Sequence, residues 1–166
     1  MPLSVDKAKE LEKLWVAIGE FIYEYSQLEF AIRIALAEAL PLGEEWEVFD
    51  AVTSPYDFTT LCRVTRTVLE INLGPPDQDE QKREAQKAKK EEIERIFKAC
   101  MAMNNDRVRI AHGTWGIWTG ARHVSRETLK AKWHFEEPEK IVEKAREIGE
   151  LIDSVLRFVP SRGGQL

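Results

Sequence analysis

The chain has no apolar run near the roughly 20 residues that span a bilayer, which excludes a membrane-inserted helix. It has only two cysteines, Cys62 and Cys100, too few for a disulfide framework; both fall on apolar helix faces and read as core residues. The start, "MPLSVDKAKELEK", lacks the basic-then-apolar order of a signal peptide, so a cytoplasmic protein is expected. There is no glycine-rich phosphate loop, no Ser or Cys nucleophile motif, no internal repeat and no domain linker. His112, His123 and His134 stand eleven apart without a coordination motif, so neither metal nor other cofactor is assigned.

What is present is a 166-residue chain of 43% hydrophobic and 32% charged residues, enough for one domain with a substantial core. Its net charge of -5 argues against indiscriminate coating of nucleic acid, but the charge is unevenly placed. Residues 107 to 135 hold six bases (Arg107, Arg109, Arg122, Arg126, Lys130, Lys132) against one acid, Glu127, for +5; the remainder is therefore -10. Trp115, Trp118, Trp133 and all three histidines lie there too. A basic, aromatic patch on an acidic body suits a localised anionic ligand such as RNA, with Arg109, Trp115, Arg122, Arg126, Lys130 and Lys132 as its contacts. A solvated hairpin with core tryptophans is the plainer alternative.

Periodicity predicts four helices. Leu11, Leu14, Trp15, Ile18, Ile22, Tyr25, Ile32, Leu36 and Leu40 recur at helical steps through 6–40, with Ser4 or Asp6 as cap and Pro41 and Gly43 as stops. An irregular connection with a short helical turn follows. The second helix runs from the Asp57 cap to Gly74-Pro75. The third begins near Asp77 or Asp79 and ends at Gly113, its first half a mixed charge run extending beyond the core. Two β-prone runs then suggest a β-hairpin or irregular excursion, and Pro138 opens the last helix. The expected fold is thus all-α: a four-helix, up-and-down-like bundle with a hairpin before the last helix, one domain over 1–160 and a disordered tail at 161–166.

Within "NNDRVRIAHGTW", residues 104 to 115, the third helix departs from its own pattern. On a 100° projection Asn104 and Arg107 fall inside the stripe of Ile93, Phe97, Cys100, Val108 and Ala111, and Glu29 falls inside that of the first helix. Buried charges need partners, so Glu29 is expected to meet Arg107 with Asn104 completing the hydrogen bonds. Such a cluster can serve only to fix helix pairing. His112, however, follows at the helix end, Asn105 shares its side, and the basic segment begins at once.

"RVRIAH", Arg107 to His112, resembles the Arg-x4-His signature of the HEPN superfamily, helical proteins that include many metal-independent endoribonucleases of toxin-antitoxin and antiviral systems. The layout is similar over nearly the whole chain. The resemblance implies that Arg107 contacts phosphate and that His112 is the acid/base group, with an antitoxin or a nucleotidyltransferase as partner. Val108 stands where active members commonly carry a polar residue, and Thr114 where the toxin subgroup controlled by adenylylation carries tyrosine. Because five helical residues separate Arg107 and His112 by about 140°, a symmetric homodimer is expected to assemble the site, as the resemblance also implies. The function expected is metal-independent endoribonuclease activity at a dimer-interface Arg/His site, supported by Glu29, Asn104 and Asn105. The alternative is a noncatalytic HEPN-like module that binds RNA, a nucleotide or a partner protein, the reading Val108 favours.

Overall fold

A computed structural model describes residues 5–40, 45–116, 120–124, 131–135 and 137–159. The fold is all-α with a small antiparallel sheet before the last helix. In chain order the elements are α1 (Val5–Ala39), α2 (Trp46–Thr53), α3 (Phe58–Asn72), α4 (Glu80–His112), β1 (Thr114–Gly116), β2 (Gly120–Val124), β3 (Ala131–His134) and α5 (Pro138–Leu156). The short turn expected after the first helix is a two-turn helix, and the hairpin is a three-stranded sheet of order β1-β2-β3. The tail called disordered from its sequence, and the Ser4, Pro41 and Gly43 signals, lie outside the described residues.

Local chemistry explains the helix ends. Asp57 caps α3 by accepting the Thr60 amide at 2.6 Å, a bond that also holds its carboxyl below the usual carboxylate range. Gly74, just past α3, has φ 73°, a left-handed backbone that glycine adopts without steric cost. Asp79 caps α4 by accepting the amides of Gln81 at 2.9 Å and Lys82 at 3.3 Å. Pro138 occupies the first position of α5, where its missing N–H costs nothing.

The chain divides into two compact units. One comprises 28–102 and 150–166. Leu28, Ile32, Leu36, Leu61, Ile93, Ile96 and Phe97 are fully enclosed there. Arg33 reaches from α1 to the end of α2, donating to the Thr53 carbonyl at 3.3 Å and its Oγ1 at 3.2 Å. Cys62 and Cys100 are buried and free, as expected; burial pushes the Cys62 thiol far up and the Cys100 thiol up to about 12, so neither is a nucleophile at neutral pH.

The other unit comprises 1–27 and 103–149 and carries the sheet. Its enclosed side chains include Ala17, Phe21, Met103, Ile110, Ala121, Ile141 and Ile148. Here the inward face of α1 differs from the expected one: Trp15 is 63% exposed and Ile22 37%, while Phe21 is sealed. The enclosed row keeps Leu14 and Tyr25 of the expected one but takes Ala17 and Phe21 in place of Ile18 and Ile22, each about 100° away. Both rows have helical spacing, so period alone does not choose between them; the small Ala17 beside the large Phe21 suits close packing.

Gly19 lies on the exposed side of α1, and a Cβ there would meet nothing within 4 Å. Gly19→Ala is therefore expected to stabilise the protein by about 0.5–1 kcal/mol, since glycine costs that much in a helix interior. The measurement is a shift of the denaturation midpoint, and an unchanged or lower midpoint would refute it.

Candidate functional site

The site is built on the last two turns of α4. Among the described residues the buried row of this segment runs through Ile96, Met103 and Ile110, seven residues apart. Beside that row Asn104 and Arg107 are half-buried and Ala111 is exposed. The expectation that Asn104 and Arg107 sit mid-core is thereby corrected.

The Glu29–Arg107 pair is corrected as well. Glu29, 36% exposed, accepts from Arg33 at 3.0 Å, four residues along α1. Arg107 instead turns to the end of its own helix, where its Nη1 lies 3.3 Å from Nε2 of His112. The angular argument against a single helix aiming both fails because the long arginine side chain reaches the 7.5 Å or so that five residues rise. Arg107 and His112 are joined within one chain, and His112 is exposed. A guanidinium can only donate, so a hydrogen bond at this contact has Nε2 as its acceptor.

Tyr25 is the residue that sequence reasoning passed over as mere core. Its hydroxyl donates to Asn104 Oδ1 at 2.7 Å, and its ring lies 6.0 Å from the Arg107 guanidinium carbon, at the outer reach of a cation–π contact. The signal in the sequence was a tyrosine on the apolar stripe of one helix and an asparagine on that of another, because a buried hydroxyl seeks a partner. Asn105, a heptad before His112, is exposed like it. Asp106 is committed elsewhere: it accepts from Arg109 at 2.9 Å and lies 4.0 Å from Lys144 on α5.

Gly113 joins helix to sheet. Its amide donates to the Arg109 carbonyl at 2.9 Å, and the Trp115 indole N–H donates to the Ile110 carbonyl at 2.9 Å, so two of the helix's orphan acceptors are satisfied. The sheet then sorts the expected RNA contacts by side-chain alternation. Pairing of Trp115 with Ala121, Ala121 with His134, and His123 with Lys132 places these five on one face. Ala121 is buried and Trp115 half-buried, so Trp115 anchors the sheet to α4. Thr114, Arg122 and Trp133 are cross-strand neighbours on the opposite face. Arg109 is tied to Asp106, Arg122 and Lys132 are exposed, and Arg126 and Lys130 lie outside the described residues, as does Trp118.

The patch remains electrically positive. Burial and then the nearby cations Arg109 and His123 push the His134 imidazole below its ordinary range. A depressed histidine favours its neutral form in the fold, so its share of stability is complete above about pH 6.5 and falls as pH drops from there through the lower folded value. A polyanion bound at the patch offsets the cations, so the His134 titration midpoint should move upward in NMR when RNA is added; an unmoved midpoint would place the anion elsewhere.

Among the described residues no group of three or more His, Cys, Asp or Glu gathers so as to hold a metal ion, and no helix is long and apolar enough to cross a membrane. No protein-family model matches the chain, and neither a curated protein nor a solved structure does.

Proposed function

We propose that this chain is a HEPN-like, metal-independent endoribonuclease in which Arg107 and His112 act on the RNA phosphodiester. The observation that carries the reading is the exposed His112 held 3.3 Å from Arg107 at the end of α4, beside a basic sheet. RNA brings its own nucleophile. The 2'-oxygen attacks phosphorus, the P–O5' bond breaks, and the products are a 2',3'-cyclic phosphate and a 5'-hydroxyl. His112 Nε2 takes the 2'-hydroxyl proton, while Arg107 transfers its donors from that nitrogen to the nonbridging oxygens of phosphate. One movement thus frees the base and stabilises the charge that builds on phosphorus.

Attacking and leaving oxygens lie on opposite sides of phosphorus, so the proton for O5' must come from across the site. A homodimer would supply it from the second copy's His112, which gives the expected dimer a chemical rather than an angular reason. Asn105, exposed on the same helix end, supplies a further donor, while Asn104 accepts from Tyr25 and ties the end of α4 to α1.

The test is incubation with varied RNAs in excess chelator, followed by analysis of the fragment ends. Cyclic phosphate and 5'-hydroxyl ends are expected. Ends carrying 5'-phosphate would overturn the mechanism, and no cleavage at all would favour the second reading, a noncatalytic module that binds RNA, a nucleotide or a partner protein. Val108 favours that module: an apolar, half-buried residue stands next to the arginine where a polar one would serve catalysis.

A further inference from the structure

The outer face of the sheet holds a second feature, separate from the Arg107–His112 end of α4. Thr114, Arg122 and Trp133 form one cross-strand row, and Val124 lies beside Arg122 on the same face. Trp133 is 47% exposed and Val124 43%, while Arg122 and Thr114 are open to solvent. What sets Trp133 apart from the other exposed tryptophans is its place: it is paired with Arg122, beside Val124, in a segment with +5 charge. Arg122 is exposed, and a guanidinium carries five hydrogen-bond donors and a fixed charge suited to phosphate. Directly paired residues on one sheet face stand about 5 Å apart at Cβ, so the Trp133 ring and the Arg122 guanidinium project from neighbouring points of one surface.

We infer that Trp133 and Arg122 form a stacking subsite for single-stranded RNA, the indole taking an unpaired base and the guanidinium the adjoining phosphate. This inference rests on RNA being the ligand of the α4 site and says how the strand is held beside it. Net positive charge selects a polyanion, and the flat ring selects one with π-faces, which an acidic peptide lacks. Bases in a duplex already stack on one another, so the subsite takes single strands in preference to double.

The experiment uses the full chain and a fluorescent 2'-O-methyl oligouridine of about ten nucleotides, which cannot be cleaved because its nucleophile is blocked. Trp133→Ala is expected to weaken binding roughly ten- to hundredfold and Trp133→Phe to restore most of it. Arg122→Ala should lower the slope of log affinity against log salt by about 0.7, one phosphate's worth. A matching duplex should bind more weakly than the single strand. Unchanged binding by Trp133→Ala, equal affinity for duplex, or equal capture of a polyglutamate peptide would each overturn the subsite. Because the oligonucleotide is uncleavable, loss of the subsite and loss of the ribonuclease reading register separately: the first shows in affinity for it, the second in cleavage of ordinary RNA.

Discussion

His112→Ala protein is expected to unfold at nearly the wild-type midpoint and to lose RNA cleavage by a factor of about 10² to 10⁴. The side chain is exposed, and truncation removes one surface hydrogen bond from Arg107, which costs at most about 1 kcal/mol. Chemistry, by contrast, loses the group that accepts the 2'-hydroxyl proton. Arg107→Ala should stop cleavage too, yet it also removes the cation beside Tyr25 and is the less clean variant. Chelator-resistant cleavage that persists undiminished in highly purified His112→Ala protein would rule His112 out as the base. A loss of several kcal/mol of stability would instead make the histidine a structural cap.

Gly113→Ala should also lose cleavage, but together with about 2 kcal/mol or more of stability and although no reacting group is altered. A Cβ on Gly113 would fall within the van der Waals envelope of the Arg109 carbonyl oxygen and 2.9 Å from the Ala121 Cβ. Neither neighbour can yield easily, since the first is backbone and Ala121 is fully buried in the central strand. Relief requires β2 to move from the end of α4, which also pulls on the Trp115 bond to Ile110 and on the turn that carries His112. Thermal denaturation beside a cleavage assay measures both effects. A Gly113→Ala protein of wild-type stability would show that helix and sheet are less closely joined.

The helix termini were legible because each depends on residues within one turn: Asp57 and Asp79 reach amides two or three positions on, and Pro138 acts through its own missing N–H. The all-α class followed from periodicity, which needs only spacing along the chain. Rotation about the helix axis was not legible. On α1 both Phe21 and Ile22 fit a helical apolar stripe, and on α4 the period places Arg107 on the apolar side without saying that its long side chain runs to the helix end and meets His112, while Glu29 pairs with Arg33. The candidate site divides the same way. Arg107, Asn104 and His112 stood out by residue type and place in the sequence, while Tyr25 did not, because its contact with Asn104 joins positions 79 apart.

The sheet shows the boundary most sharply. Composition established that positive charge and tryptophan concentrate between 107 and 135, and nothing beyond counting was needed. Which tryptophan faces outward was decided by strand register: a shift of one residue exchanges every side chain between the two faces, and register depends on partner strands and on what covers them. Pairing Trp115 with Ala121 and Arg122 with Trp133 turned the first tryptophan to α4 and left the second beside an arginine in solvent. Local chemistry determined the elements and their ends, because its causes lie within a few residues; the tertiary structure decided which faces meet, because that choice depends on surfaces far apart in the chain.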